Sequence, residues 1–246
     1  MSSQRFKIEE QAMGSFNGGA ILENKPIGFP QDQGVLKPYS TLFYWAHAHS
    51  SSGSTIGLHP HRGFEIVTYV IKGEIKHYDT KTKDWIILKE GSFQVIDSAN
   101  GISHSEELCE NSEIFQIWFD PNINKSLHRE AKYKDYPSEV FPVVKNDALR
   151  VKNIVGKNSP VELETEDISI QEIDLDNSQS VMLSIDHVHS LYLINGHLDM
   201  NGKELKKDDF IVLKDETEMY ISCHKKSKLF MISSPKTPSY KTYTKG

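Results

Sequence analysis

Two short motifs hold the side chains best suited to chemistry in this sequence of 246 residues. His59 and His61 flank Pro60, and His104 stands two positions before Glu106. Residues two apart on a strand point to the same face of a sheet, so each motif can direct both of its side chains toward one ion. Together the motifs would supply three imidazole nitrogens and one carboxylate oxygen.

This donor set indicates the class of metal. Imidazole with carboxylate suits Fe, Ni, Cu, Co, Mn or Zn, whereas Ca and Mg prefer oxygen ligands. Such a set leaves one or two positions open on a five- or six-coordinate ion, which is typical of a catalytic centre. A lone HxH motif is more often a surface or packing pair, and a lone HxE motif is weaker still. The two motifs together, each beside a glycine, favour a metal site.

Short strands are the elements that must position these motifs. Apolar and alternating runs predict strands over 64–71, 74–78, 85–88, 93–96 and 114–119. Lys72-Gly73 predicts a hairpin turn between the first two of them. Residues 124–136 are polar and predict a helical turn or two. Many short strands with glycine turns are typical of a sandwich or barrel.

A second β-rich segment, residues 168–234, resembles the first. Tyr69–Gly73 matches Tyr192–Gly196. Phe93 matches Phe210, and a short, mainly apolar run follows each of these two phenylalanines. The repeat predicts an all-β chain of two tandem jelly-roll barrels. Domains are predicted at 1–137 and 138–246. Two unrelated β domains are the alternative.

The repeat also predicts which half holds the metal. In the second copy the four candidate ligands are replaced, in order, by Met182, Ser184, Ile221 and Cys223. These side chains do not form a second ligand set, so the C-terminal barrel is predicted to hold no metal. His187 and His189 form another HxH pair without an HxE partner and are interpreted as surface or satisfied histidines.

Charge and cysteine content narrow the class of partner. The net charge is -6, and the sequence has no dense Lys/Arg block, so direct nucleic-acid binding is not expected. The two cysteines, Cys109 and Cys223, form no CxxC pair. No apolar leader or membrane-length apolar run is present, so we expect a cytoplasmic protein that does not bind membranes. We also expect the protein to be monomeric.

The string from Gly57 to Val70, GLHPHRGFEIVTYV, resembles the signature of the pirin family within the cupin superfamily. Ser98–Glu106 resembles the second metal motif of that family, and Phe115–Pro121 resembles the strand after it. The likeness is dense from 57 to 121 and thin elsewhere. Residues 39–52 do not resemble the usual family segment, and they would form part of the pocket wall.

The resemblance implies two tandem cupin barrels with one metal, most often iron, in the N-terminal barrel. The ligands of the family correspond to His59, His61, His104 and Glu106. Glu65 is not a ligand in that pattern, so it is predicted to lie behind the ligands.

His47 and His49, which precede the first motif, are predicted to line the mouth of the same pocket.

The resemblance also implies a function: a metal-dependent dioxygenase acting on quercetin-like flavonols with O₂. In that reaction Glu106 would be the catalytic base. The alternative is a non-catalytic, metal- or redox-sensing regulatory protein of the pirin type. A third class, a metal-dependent isomerase or sugar-binding cupin, shares the ligand chemistry and differs in needing no O₂.

Overall fold

The structure, a computed structural model, describes residues 2–146 and 148–243. It is nearly all β, with 58% strand and 6% helix. The predicted all-β class is confirmed and a jelly-roll plan fits, although the sheets are open rather than closed barrels. Among the described helices, none is long and apolar enough to cross a bilayer.

The described elements are mostly short strands joined by turns. In chain order the strands are β1 (Ser2–Phe6), β2 (Ala12–Phe16), β3 (Ile21–Ile27), β4 (Leu42–Ser50), β5 (Ser54–His61), β6 (Glu65–Lys72), β7 (Glu74–Asp79), β8 (Trp85–Lys89), β9 (Phe93–Asp97), β10 (Ile102–Leu108), β11 (Ser112–Phe119), β12 (Lys132–Tyr136), β13 (Val143–Lys145), β14 (Leu149–Val155), β15 (Ser169–Leu175), β16 (Gln179–Met182), β17 (His187–Met200), β18 (Lys203–Lys206), β19 (Phe210–Lys214) and β20 (Glu218–Pro235). The helical pieces are α1 (Ile123–Ser126) and the 3-10 turns Ile8–Glu10, Asn17–Gly19 and Ser138–Val140.

The chain divides into two compact units. The N-terminal unit comprises residues 11–140, 163–166 and 238–243, and the C-terminal unit comprises 2–10, 141–162 and 167–237. The main passage between units, after residue 140, lies near the predicted boundary at 137. Three short segments lie outside the unit that the predicted ranges 1–137 and 138–246 give them. Residues 2–10 belong to the C-terminal unit, and residues 163–166 and 238–243 belong to the N-terminal unit.

Two sheets build the N-terminal unit. One has the strand order β12-β9-β6-β11-β4-β3-β2, and the other has the order β5-β10-β7-β8. The predicted hairpin at Lys72-Gly73 is wrong, because β6 pairs with β9 and β11 whereas β7 pairs with β8 and β10. The chain instead passes from one sheet to the other at Gly73, whose φ of 75° suits glycine.

The helical prediction for 124–136 holds only at its start. Helix α1 covers Ile123–Ser126, and the end of the segment forms edge strand β12 beside β9. Tyr133 pairs with Ile96 in this ladder, so tertiary pairing outweighs the weak local preference for helix.

A row of polar side chains crosses the inner face of the seven-stranded sheet. Gln94 pairs with Thr68, and Thr68 pairs with Gln116, on three adjacent strands. Directly paired residues face the same side of a sheet, so the three side chains form one row, called here the polar rung. Thr68 and Gln94 are fully buried.

One nine-stranded sheet builds the C-terminal unit. Its main order is β1-β19-β17-β20-β15-β14-β13, with β16 paired to β20 and β18 paired to β17. This unit contains a cluster of buried apolar side chains that includes Leu191, Ile211 and Met231. β1 comes from the start of the chain and pairs with β19, so the first residues complete this sheet.

Candidate metal centre

Strand β10 is the middle strand of the candidate metal centre. His104 lies directly opposite His59 on β5, and Glu106 lies directly opposite His77 on β7. A register shift between His104 and Glu106 interrupts the ladder with β5, whereas the ladder with β7 continues through both residues. One strand therefore directs an imidazole and a carboxylate into the space between its two neighbours.

Three imidazoles meet at the β5 side, and we call His59, His61 and His104 the outer trio. The ring centroids lie 4.4 to 4.7 Å apart in every pairing. One ligand nitrogen from each lies within 4.8 Å of the other two. His59 and His61 are half-buried, and His104 is fully buried.

Glu106 belongs to a second group that shares His104. His77, His104 and Glu106, called here the inner trio, also have one ligand atom each within 4.8 Å of the others, and all three are buried. Within it, Nδ1 of His104 lies 3.9 Å from Oε1 of Glu106. The structure thus brings the four predicted ligands together as two overlapping trios rather than one compact set of four. Within residues 2–146 and 148–243 these are the two groups of this kind.

The imidazoles of His61 and His104 are neutral near neutral pH. Burial, with His104 and His59 nearby, lowers the pKa of His61 to about 3. Burial, with His59 and His77 nearby, lowers the pKa of His104 to about 3. A neutral imidazole keeps the lone pair that a metal requires. His61 and His104 can therefore bind a cation near neutral pH without first losing protons.

Several nitrogens of these rings are buried without a hydrogen bond. Nε2 of His61, both ring nitrogens of His104 and Nδ1 of His77 find no partner within the part of the chain that the structure describes. Buried polar atoms are normally paired, and an unpaired one costs about 1–3 kcal/mol. A transition metal would accept the lone pair of one nitrogen from each ring that binds it, so the residues present fit such an ion.

The polar rung holds Glu106 in place. Nε2 of Gln116 donates to Oε2 of Glu106 at 2.6 Å, and Oγ1 of Thr68 donates to Oε1 at 3.4 Å. Burial raises the pKa of Glu106, while nearby His77 and His59 and these hydrogen bonds oppose the shift. The carboxylate therefore keeps one firmly held oxygen and one loosely held oxygen.

Aromatic side chains border the centre on the side of His61. The ring of Trp118 meets His61 edge-on at 4.8 Å between centroids. Trp118 also lies 5.3 to 5.7 Å from Phe29, Tyr44 and Phe64, and these four residues are called here the aromatic wall. The indole Nε1 of Trp118 is buried and donates to no group among the described residues. The wall therefore offers flat apolar surface with a free donor beside a candidate ligand.

The structure does not bring the other predicted pocket residues to the centre. His47 pairs with Phe115 and His49 pairs with Glu113, whereas Gln116 pairs with Ala46. Side chains alternate along a strand, so His47 and His49 lie on the opposite face of the sheet from the polar rung. Nε2 of His47 lies 3.4 Å from a carboxylate oxygen of Glu113.

Glu65 performs a different task from the predicted one. Its carboxylate accepts backbone N–H bonds from Glu164 at 2.8 Å and Thr165 at 3.0 Å, so it anchors the segment 163–166 within its unit. Full burial raises its pKa to about 7. Neither trio includes it.

Sequence reasoning missed His77 as a member of the site. It stands alone on β7, two positions before Asp79, and it forms no HxH or HxE motif. Its HxD spacing was the available signal, because a carboxylate two residues on along a strand shares the face of the histidine.

Comparison with known proteins places a family domain over the centre. Residues 28–119 match the family model named Pirin, and this range contains both trios. Quercetin 2,3-dioxygenase of Escherichia coli K12 is 25% identical over 189 residues, covering 75% of this chain and 78% of that protein. Pirin-1 of Arabidopsis thaliana is 34% identical over 142 residues, covering 56% of this chain and 46% of that protein.

Solved structures show the same fold. The crystal structure of the bacterial pirin YhhW in complex with nickel(II), from Escherichia coli, has a TM-score of 0.77 and 20% sequence identity. The alignment covers 96% of this chain and 100% of that one. At this identity the likeness concerns the fold alone, and it extends over both units.

Proposed function

We propose, from the premise that this chain carries a pirin domain at residues 28–119, that it is a metal-dependent dioxygenase acting on quercetin-like flavonols. His59, His61, His104 and Glu106 would hold one divalent transition metal. The observation that carries the proposal is the group of buried imidazole nitrogens without hydrogen-bond partners among the described residues, set beside a buried carboxylate.

A bound metal would act as a Lewis acid that binds a substrate oxygen and acidifies its hydroxyl group. Imidazole and carboxylate donors suit Fe, Ni, Cu, Co, Mn and Zn alike, and iron is the member of this series we propose first. The relatives support a small aromatic substrate, because one of them is named quercetin 2,3-dioxygenase.

Glu106 would take the proton of the flavonol hydroxyl. Its Oε2 is held at 2.6 Å by Gln116, whereas Oε1 has only the 3.4 Å contact with Thr68. Oε1 is therefore the oxygen free to accept the proton. Burial raises the pKa of the carboxyl group, and a carboxylate with a raised pKa is a stronger base.

The aromatic wall would orient the substrate. Trp118, Phe29 and Tyr44 offer ring faces and edges beside His61, and planar aromatic groups pack well against such surfaces. The free N–H of Trp118 would donate to an oxygen of the substrate. Packed rings also exclude water from the reacting hydroxyl.

The test follows flavonol absorbance in air after the protein has been loaded separately with Fe(II), Ni(II) or Cu(II). We expect quercetin to be consumed by the wild type in at least one metal form, and not by the metal-free protein. Glu106→Gln should bind less metal and lose turnover. His49→Ala, which removes an imidazole from the opposite face of the sheet, is the matched control and should behave like the wild type.

No loss of flavonol absorbance with any of the three metals would reject this substrate class. Metal analysis of the same samples separates two kinds of failure. A metal-loaded but inactive protein would favour the regulatory alternative. A protein that takes up no metal would reject the centre itself.

A further inference from the structure

His77 has the surroundings of a metal ligand. Its ring is fully buried on β7, directly opposite Glu106 on β10. Tyr133 stacks flat against it, with centroids 4.5 Å apart and an angle of 8° between the rings. The ring therefore has one fixed orientation beside the carboxylate.

A buried carboxylate fixes the tautomer of His77. Nε2 lies 3.1 Å from Oδ2 of Asp79. The backbone N–H groups of Lys81 and Thr82 each donate to Oδ1 of Asp79 at 2.7 Å. The hydroxyl of Thr82 donates to Oδ2 at 2.9 Å. Because these donors hold Asp79 as an acceptor, the proton of a neutral His77 lies on Nε2.

The other nitrogen of His77 is left free. Nδ1 is buried and has no hydrogen-bond partner in residues 2–146 and 148–243. A histidine that serves only the packing of a core normally has both nitrogens satisfied. A histidine that binds metal typically donates its far N–H to a carboxylate and keeps the near nitrogen bare. His77 has this second pattern.

We propose that His77, through Nδ1, is a metal ligand and that the inner trio forms a second position for the ion, alternative to the outer trio. Both trios use His104, so one ion occupies either position and the stoichiometry remains one. This inference rests on the proposed metal centre and adds a ligand and a position to it.

The donor sets of the two positions predict different metals. The inner trio has two imidazoles and one carboxylate, which is the set typical of non-haem Fe(II) oxygenases. The outer trio has three imidazoles, a set that suits Ni(II), Cu(II) and Zn(II). Fe(II) therefore favours the inner position, and Ni(II) favours the outer one.

The experiment compares His77→Phe with His61→Phe. Each variant replaces one imidazole, from the inner or the outer trio, by a ring of similar size. Fe(II) affinity is measured without oxygen by competition with a chromophoric chelator, Ni(II) affinity is measured in parallel, and X-ray absorption counts the imidazoles around iron.

We expect His77→Phe to weaken Fe(II) binding by more than the 10–100-fold typical of losing a group behind a ligand, and to remove one imidazole from the iron spectrum. His61→Phe should weaken Fe(II) binding less than His77→Phe does, and it should weaken Ni(II) binding more. Asp79→Asn keeps the His77 ring but removes its acceptor, and should weaken Fe(II) binding about 10–100-fold.

Wild-type Fe(II) affinity in both His77→Phe and Asp79→Asn would overturn the inference, as would equal loss of Fe(II) in His77→Phe and His61→Phe. Circular dichroism of the metal-free variants confirms folding, and Asp79→Asn decides the matter if His77→Phe does not fold. A wild type that binds neither metal would reject the proposed centre as a whole. Binding by the wild type with no effect of His77→Phe or Asp79→Asn rejects the role of His77 alone.

Discussion

The same three-strand row is polar in one unit and apolar in the other. In the N-terminal unit, Gln94, Thr68 and Gln116 form the polar rung. In the C-terminal unit, Ile211 pairs with Leu191, and Leu191 pairs with Met231; we call this row the apolar rung. The two rows occupy matching places in their sheets, as shown by the adjacent pair of residues, which is aromatic in both units.

That aromatic pair identifies the repeat in three dimensions. Tyr69 pairs with Phe93 next to the polar rung, and Tyr192 pairs with Phe210 next to the apolar rung. All four rings are almost completely buried. The backbone plan is thus shared, and the side chains of a single row decide what the interior holds.

The difference shows how one scaffold serves two purposes. Thr68 and Gln116 hold the carboxylate of Glu106 inside the N-terminal unit. By strand register Ile221 stands at the position of Glu106 and Met219 at that of His104, and both pack with the apolar rung in one cluster. A buried carboxylate needs polar support, whereas a row of apolar side chains fills a core. The apolar rung therefore fills the core of its unit, and the polar rung holds a buried carboxylate.

The largest expected effect comes from breaking the apolar rung. Leu191→Ala leaves a cavity in a fully buried cluster and should lower the free energy of unfolding by about 2–5 kcal/mol. Metal affinity of the folded protein should not change, because Leu191 lies outside both trios. Urea unfolding and metal titration of the same variant measure both quantities. A change in metal affinity would contradict this division of tasks.

The second largest effect is expected when one residue of the polar rung is replaced by its counterpart from the apolar rung. Gln116→Met introduces the residue found at the matching place, Met231, and removes the 2.6 Å hydrogen bond to Glu106. We expect metal affinity to fall about 10–100-fold, as for other partners of ligating groups.

The reverse exchange, Met231→Gln, is the matched control for Gln116→Met. It buries an amide in the apolar cluster, so it should lower stability and leave metal affinity unchanged. Equal metal affinity in Gln116→Met and the wild type would show that the polar rung does not support the centre.

The last expected effect is the pH dependence that His61 gives to the stability of the N-terminal unit. The pKa of His61 is about 3 in the folded protein, below its ordinary value of 6.5, because of burial and the neighbouring imidazoles. Below pH 6.5 the unfolded chain takes up a proton that the folded protein excludes. The stability due to this group is complete above that pH and is lost as the pH falls toward 3.

Urea unfolding of metal-free protein at several pH values tests this sign. His61→Gln should reduce the loss of stability on acidification, although His104 still contributes its own share. An identical pH dependence in variant and wild type would mean that the folded protein protonates His61 as readily as the unfolded chain does.

Local periodicity made much of the centre predictable. The spacing of His59 with His61, and of His104 with Glu106, follows from the alternation of side chains along a strand. The matching Tyr and Phe residues of the two segments revealed the repeat. The fold class followed from these patterns.

Contacts that depend on distant pairing were not predictable. Gly73 signals a turn but does not tell which sheet the next strand joins, so the hairpin prediction failed. His77 lacks a motif partner of its own, and only the pairing of β7 with β10 reveals its neighbours. His47 and His49 likewise could be assigned to the face opposite the polar rung only once the pairing of β4 with β11 was known.

The pairing of β1 with β19 affects the order in which a newly made chain folds. Ser2 lies opposite Lys214 and Phe6 lies opposite Phe210, so β1 leaves the ribosome long before β19 and can pair only after residues 210–214 have emerged. Closing so long a loop is slow, and during that time one edge of β19 stays open to any strand that can reach it. During crowded synthesis on polysomes, this edge of β19 would therefore be open to the β1 strand of a neighbouring copy.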